Sequence, residues 1–225
     1  NMATEVNELL KELVQNANAV GPDGNTLFSG TRTKGVAFDV VMGNVPGANE
    51  ALIENVRYNG NVGINKVEVD ENAYLEVDSS GNKTFWAEPQ RLMGQRDLSS
   101  WQALEDGVIG IDGVDVKVSS GDNVYALAAK INDSGVAVKA EIDPVTGGLN
   151  LTTTDSHQIW LEDKSGSSLS DIGMIKDKSQ LPPYNIGNGV RVSGGSLFDS
   201  VIALRDAMLR GDNESIGGRV LGTID

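Results

Sequence analysis

The feature that most constrains this chain is an apolar stripe near its C-terminal end. Between residues 196 and 225, large apolar side chains recur three or four positions apart, as on one face of a helix: Leu197, Val201, Leu204 and Met208, flanked by Ile202 and Leu209. Residues 3–20 carry a second stripe of this kind: Val6, Leu10, Leu13, Ala17 and Val20. We therefore expect the two chain ends to pack together as antiparallel helices, with the residues between them forming an insertion.

Length and charge limit what the chain can be. A chain of 225 residues is long enough for one large or two modest domains, and we favour two. Its 18 basic and 32 acidic residues give a net charge of −14, which repels phosphate backbones and anionic head groups, so nucleic acid and membrane surfaces are not expected partners. The absence of cysteine excludes disulfides and thiolate metal sites.

Both ends of the sequence have the character of cut helices. The first helix has no obvious Ser, Thr or Asp cap, and residues 222–225 end the chain without a polar tail. No stretch resembles a signal peptide, and no apolar run reaches the roughly 20 residues of a spanning helix. We expect a fragment whose helices run on in both directions.

The segment after the first helix carries turn and strand signals. Residues 21–24 end the helix, and Leu27 and Phe28 are expected to plug one end of the helix pair. Residues 36–53 indicate extended structure. The pair Gly60-Asn61 predicts a tight turn between a strand at 56–59 and alternating residues up to Val77, with residues 84–86 returning as a further strand. Residues 91–102 are expected to be a linker.

From residue 104 the pattern is that of a separate unit. Alternating residues on both sides of Asp112-Gly113 predict a hairpin, Asp122 is a candidate helix cap, and a helix should end at Gly135. Three further strands are expected at 136–142, 149–153 and 158–161. Apolar residues at 169, 172 and 175 should close the unit, with Pro182-Pro183 as its exit.

The resulting fold class is α+β with more than one domain. Residues 1–94 and 188–225 should form a discontinuous helical-rod core with a β-hairpin region. Residues 95–187 should form an inserted β-rich domain with the order ββαβββ.

Several segments resemble hook-filament junction proteins, which are hook-associated members of the flagellin superfamily. At the two ends these are residues 16–18 with 24–31, residues 198–209, Gly211-Asp212, Ile216 and Ile224-Asp225. In between, residues 56–77 are similar to the hairpin region of that family. Residues 111–116, 121–123, 127–132 and 149–153 are similar to a small inserted module of flagellins and hook-associated proteins.

This resemblance implies a structural role in the bacterial flagellum, joining hook to filament. The implied partners are other copies of the chain in a ring, the preceding hook-associated protein, flagellin on the filament side, and an export chaperone before secretion. The implied location is extracellular, or periplasmic where the flagellum is periplasmic, after export without a cleaved signal. The resemblance also implies that this sequence is a fragment without the outermost terminal helices of the family.

Contacts between copies need groups that set the register and reject wrong partners. A helix pair with a polar outer face can stack on copies of itself into a ring or helical tube. Charged and polar groups on the flanks suit this task. The candidates are Asn18, Arg32, Arg57, Arg205, Asp206 and Arg210.

Enzymatic interpretations are weak, and no catalytic, cofactor or metal site is expected. His157, the one histidine, follows Ser156 in sequence, but a triad must meet in space with an acid behind the histidine, so we interpret it as a turn residue. No carboxylate pair marks a recognisable glycosidase cleft. The aspartates at 112, 115 and 122 lack the alternating oxygen ligands and terminal glutamate of a calcium loop. The tripeptide 210–212 and the glycine-rich stretch 193–196 carry no weight as adhesion or phosphate motifs.

Two alternatives remain beside the junction subunit. A filament flagellin would show an Asn-Gly followed by paired leucines where this chain has residues 26–31. A surface adhesin or glycan-binding module on a helical stalk would need an aromatic-lined groove in the insertion, where Tyr125 and Trp160 are the large aromatics.

Overall fold

The computed structural model describes residues 2–32, 34–64, 66–71, 73–76, 79–177, 179–212 and 215–216. Val77 and residues 222–225, which contributed to the sequence interpretation, lie outside the described residues. In chain order the elements are α1 (Met2–Ala17), β1 (Phe38–Gly43), β2 (Leu52–Tyr58), β3 (Lys66–Asp70), β4 (Ala73–Glu76), α2 (Gly81–Thr84), β5 (Arg91–Gly94), β6 (Gly107–Ile111), β7 (Val114–Val118), α3 (Val124–Asp133), β8 (Val138–Ile142), β9 (Leu149–Thr153), β10 (Leu161–Ser165), α4 (Ser168–Asp171), β11 (Val190–Ser193) and α5 (Leu197–Arg210).

The chain forms two compact units. Unit 1 comprises Asn1–Glu88 with Gly195–Asp225, and unit 2 comprises Pro89–Gly194. Unit 2 extends beyond the insertion expected at 95–187 on both sides. The reason is that β5 pairs with β11 and with β9, so both β5 and β11 belong to a sheet of unit 2. The expected linker at 91–102 is wrong for its first residues, which form an interior strand of a sheet.

Helices α1 and α5 of unit 1 pack against each other, as the sequence indicated. Helix α5 begins with a capping box, in which the Ser196 side chain accepts from the Asp199 backbone N–H and Asp199 accepts in return from Ser196, and it ends at Gly211 with a left-handed φ of 68°. Helix α1 ends before residue 18, near the predicted stop. Local sequence thus sets the ends of both helices.

The buried stripes differ from those the sequence indicated. Helix α1 buries Ala3, Asn7, Leu10, Val14 and Ala17, and helix α5 buries Phe198, Ile202, Arg205 and Ala207. The expected residues Val6, Leu13, Leu197, Val201, Leu204 and Met208 are only half-buried, and Val20 is exposed. The stripe is displaced because alanines fit a close helix contact and because two polar side chains satisfy each other inside it.

The hairpin region of unit 1 is paired differently from the prediction. Strand β2 pairs antiparallel with β1, and β3 pairs with β4, so Gly60-Asn61 is not a hairpin turn between adjacent partners. Instead, Asn61 Oδ1 accepts from the backbone N–H of Thr31 at 2.9 Å and of Gly63 at 3.0 Å. The strand expected at 84–86 is also wrong, since α2 ends there and Phe85 turns into the core.

An aromatic cluster forms the centre of unit 1. The four phenylalanines of the chain, Phe28, Phe38, Phe85 and Phe198, lie with neighbouring ring centroids 5.0–5.4 Å apart. The Tyr58 ring joins them 5.1 Å from Phe38, and its hydroxyl donates to the Phe28 carbonyl oxygen. Phe28 thus has the plugging role predicted for it, whereas Leu27 is exposed.

Unit 2 is built from two antiparallel sheets and helix α3. One sheet has the strand order β10-β6-β7, and the other has the order β11-β5-β9-β8. Helix α3 packs on β8 and β7, and apolar side chains from both sheets share one core. The elements β6, β7, α3, β8, β9 and β10 follow the predicted order ββαβββ.

Turn chemistry in unit 2 agrees with the sequence at most positions. Asp112 and Gly113 have φ values of 50° and 82°, as a tight hairpin turn between β6 and β7 requires. Asn123, rather than Asp122, caps α3, because its side chain accepts from the Ala126 N–H at 2.9 Å. Pro182 and Pro183, expected in an exit linker, are buried within the unit.

Candidate assembly surface

A buried polar cluster joins the two helices of unit 1. The Arg205 side chain is 0% exposed, and its Nη1 donates to Asn7 Oδ1 at 3.0 Å. Its Nε and Nη2 both donate to Asp206 Oδ1, at 2.9 and 2.7 Å. The prediction that Arg205 lies at a subunit surface is therefore wrong, because the guanidinium is part of the helix contact and is neutralised there by Asp206.

A groove of about 280 Å³ opens beside this cluster. It runs between the start of α1, the loop 47–50 and the end of α5, with Asn7 and Leu209 among its walls and Glu8 and Glu50 among its charged groups. Gly47 lets the loop approach α5, since its φ is +90° and an added Cβ would lie 2.9 Å from the Leu209 carbonyl oxygen. The loop and the last turn of α5 therefore form one continuous surface.

Asn18 has a structural role inside unit 1. Its Nδ2 donates to the Phe38 carbonyl oxygen, and its Oδ1 accepts from the Phe38 N–H, both at 2.8 Å. The amide thus fixes the chain after α1 to the first residue of β1. A contact to another copy would have to compete with both hydrogen bonds.

The remaining candidates stand at the surface of unit 1. Arg32 is exposed and its Nη1 donates to the Asn59 carbonyl oxygen at 3.3 Å, while Arg57 is an exposed residue of β2. Arg210 is exposed in the last turn of α5, where a cation interacts favourably with the helix dipole. Of the six predicted residues, the structure brings Arg205 and Asp206 into direct contact.

Exposed apolar residues on unit 1 were missed by the sequence interpretation. Val40, Val41 and Met42 follow one another along β1, with exposed fractions of 43%, 38% and 52%. Met2 and Leu9, one heptad apart on α1, are exposed as well. The apolar residues between 36 and 53 are irregularly spaced, so the sequence did not indicate which face of a strand is buried. The run of three apolar residues was a signal, because successive side chains of a strand point to opposite faces and cannot all be buried on one of them.

His157 of unit 2 is buried rather than placed in an open turn. Its Nε2 lies 2.8 Å from Asp112 Oδ2, and its Nδ1 lies 2.5 Å from Asp155 Oδ1. Burial lowers the pKa of His157, but the hydrogen bonds and charges of the two aspartates outweigh it, so the pKa is raised above its usual value. Both ring nitrogens face carboxylates, so this arrangement lacks the nucleophile contact that a catalytic triad requires.

The three aspartates considered for calcium have separate partners. Asp112 contacts His157, Asp115 contacts Lys164, and Asp122 contacts Lys130. In the part of the chain that the structure describes, no three His, Asp or Glu side chains are grouped to hold a metal ion. None of the helices covered by the structure is long and apolar enough to cross a bilayer.

Other sequence signals have local structural explanations. The Gly211 N–H donates to the Met208 carbonyl oxygen and ends α5, and Ser196 caps the start of the same helix. Trp160 is 5% exposed and its Nε1 donates to Glu162 Oε1 at 3.3 Å, while Tyr125 is 63% exposed on α3. A buried Trp160 cannot line a glycan groove with Tyr125.

The sequence of unit 2 matches a known motif. Residues 103–155, which run from before β6 to just after β9, match the motif described as the flagellin hook IN motif. A search of curated proteins gives no match.

Three solved flagellar structures are similar to the chain. The D2-D3 domains of the flagellar cap protein FliD from Escherichia coli share 17% identity over 72% of this chain and 74% of that chain, with a TM-score of 0.39. Flagellar hook associated protein-3 from Legionella pneumophila shares 14% identity over 99% of this chain and 71% of that chain, with a TM-score of 0.37. FlgL from Xanthomonas campestris shares 14% identity over 99% of this chain and 66% of that chain, with a TM-score of 0.39.

Similarity at this level is too low to assign an architecture, so the assignment rests on the sequence motif. The motif covers the hairpin β6–β7, helix α3 and the hairpin β8–β9 of unit 2. The chain thus matches the flagellin hook IN motif at residues 103–155, which confirms for that segment the predicted resemblance to a small module of flagellins and hook-associated proteins.

Proposed function

We propose that this chain is a structural subunit of the bacterial flagellum, a hook-associated protein that joins hook to filament. The observation that carries the proposal is the flagellin hook IN motif at residues 103–155. The resemblance of both chain ends to junction proteins favours this role over a filament flagellin, because the residues after the turn read Thr26 to Thr31 instead of Asn-Gly and paired leucines. The work of such a subunit is assembly rather than catalysis.

Unit 1 supplies surfaces suited to assembly. The helix pair is held internally by Arg205 and Asn7, so its outer faces stay available for repeated heterologous contacts between copies. The exposed apolar side chains of β1 would be buried in the contacts between copies, and the exposed cations Arg32, Arg57 and Arg210 would set the register of one copy against the next. The proposed neighbours are copies of the chain in a ring, a hook-side hook-associated protein and flagellin, after export with a chaperone to the cell exterior or periplasm.

The test is deletion of the gene, followed by electron microscopy with hooks scored for attached filaments. We expect mostly bare hooks, flagellin monomers released into the medium, and rescue by a plasmid copy. Filaments on most hooks would overturn the proposal.

A filament flagellin gives a different result in the same strain. Bare hooks without released flagellin, together with antibody labelling along the whole filament in the parent strain, would identify the chain as the filament subunit. Labelling confined to a short band next to the hook would support the junction role.

A further inference from the structure

The Asp112, His157 and Asp155 side chains connect the two sheets of unit 2. Asp112 lies in the turn between β6 and β7, in the sheet β10-β6-β7. Asp155 follows β9, which belongs to the other sheet. His157, with a side chain 7% exposed, contacts both carboxylates. We call this group the histidine clasp.

The clasp is reinforced by the backbone around it. The second carboxylate oxygen of Asp112 accepts from the Trp160 N–H at 2.8 Å, and the Asp112 N–H donates to the Trp160 carbonyl oxygen at 2.9 Å. Asp112 also holds a φ of 50°, which few side chains tolerate as well as Asp or Asn. The position of the Asp112 carboxylate is therefore held by contacts that do not depend on His157.

Protonation decides how many of these bonds can form. A neutral imidazole carries one N–H, so it can donate to one carboxylate while its other nitrogen turns a lone pair toward the second. An imidazolium carries two N–H groups and can donate to both. Two carboxylates placed at 2.8 and 2.5 Å from the two ring nitrogens therefore match the cation.

We propose that the histidine clasp is a protonation-dependent lock between the two sheets of unit 2, closed while His157 is a cation and weakened when it is neutral. The charged groups that contact the ring are Asp112 from the β6–β7 turn and Asp155 from the segment after β9. Both are acidic, so they favour the imidazolium. This inference concerns unit 2 alone and stands apart from the proposed assembly role.

The direction of the pH effect follows from the raised pKa of His157. Its contribution to stability is complete below the ordinary histidine pKa of about 6.5 and is lost as the pH rises through the higher value in the folded protein. At alkaline pH the turn at Asp112 and the segment leading to β10 should open more often.

The test uses the full chain, whose single histidine gives one unambiguous set of ring signals in nuclear magnetic resonance. We expect both ring nitrogens to be protonated at pH 6.5, with a titration midpoint above that of a free histidine. Asp155→Asn, at a half-exposed side chain, and Asp112→Asn, which tolerates the same φ, should each lower the midpoint. Glu105→Gln, which removes an exposed carboxylate elsewhere in unit 2, is the matched control and should leave it unchanged.

Amide hydrogen exchange provides the second readout. Between pH 6 and 9, the exchange rate of the Trp160 amide should rise by more than base catalysis alone predicts, because its hydrogen-bond acceptor Asp112 is held less firmly once His157 is neutral. The Ala140 amide, bonded to Asn132 Oδ1 in the same unit, is the internal reference. His157→Gln should abolish the pH-dependent difference between the two amides. A ring that is neutral at pH 6.5, or a midpoint insensitive to both aspartate variants, would overturn the proposal.

Discussion

Arg205 Nη1 donates a hydrogen bond to Asn7 Oδ1 at 3.0 Å, and this bond joins α5 to α1 through two residues that are 198 positions apart in sequence. A fully buried arginine in a helix contact has few acceptors to choose from, and here Asn7 and Asp206 supply them. Sliding one helix along the other by a turn would leave the guanidinium without Asn7. The pair therefore fixes the register of α1 against α5.

Breaking this pair should destabilise unit 1. Asn7→Ala leaves a buried guanidinium N–H without its acceptor, and we expect a loss of about 1–3 kcal/mol in the free energy of unfolding. Urea denaturation followed by circular dichroism measures it. The double variant Asn7→Leu with Arg205→Met should lose less stability than the sum of its two single variants, because neither partner of this hydrogen bond is then left without the other. A double variant as unstable as the sum of its single changes would show that the two residues do not interact.

The aromatic cluster should dominate the stability of unit 1. Phe198 is 0% exposed and contacts the rings of Phe38 and Phe85, so Phe198→Ala should cost about 3–5 kcal/mol. Urea denaturation followed by circular dichroism measures the loss. Leu27→Ala, at an exposed position nearby, is the control and should change stability by less than about 0.5 kcal/mol. Equal effects of the two substitutions would contradict the packing described.

The contact of Asp122 with Lys130 and the Ser119 N–H should appear as acid sensitivity of unit 2. These bonds lower the pKa of the Asp122 carboxyl in the folded protein. The carboxylate therefore contributes to stability at pH values above the unfolded-state pKa of about 3.9, and this contribution is lost as the pH falls through the lower pKa of the folded state. Asp122→Asn should reduce stability by about 0.5–1 kcal/mol at pH 7 and by less at pH 2.5. Urea midpoints at the two pH values check this. Asp133→Asn, on the exposed end of α3, should show no such difference.

Surface cations should affect assembly without affecting folding. Arg57→Glu and Arg32→Glu change exposed residues, so we expect stability within about 0.5 kcal/mol of the parent. If these residues set the contacts between copies, the variant chains should fail to restore filaments in the deletion strain while still being exported. Lys139→Glu, an exposed charge on unit 2, is the matched control. Full restoration by the double variant Arg32→Glu with Arg57→Glu would remove both residues from the proposed interface.

Much of the architecture could be predicted from the sequence because its signals are local. The turn at Asp112-Gly113, the helix before Gly135 and the alternation in β8 and β9 each depend on a few neighbouring residues. The pairing of β1 with β2 could not be predicted, because residues 36–53 carry no regular spacing and Gly60-Asn61 imitates a hairpin turn. The extent of unit 2 was missed because β5 is recognisable only by its partners β9 and β11.

The sequence alone determined that both chain ends are helical, that they offer apolar faces to each other, and that a β-rich unit lies between them. Only the tertiary structure decided which stripe of each helix is buried, why Arg205 belongs to the interior, and that His157 meets two aspartates. The hydrophobic periodicity that predicts a helix or a strand depends on a few neighbouring residues. Burial direction and the protonation of a side chain depend on groups that the fold brings together from distant positions, as Asn7 and Arg205 demonstrate.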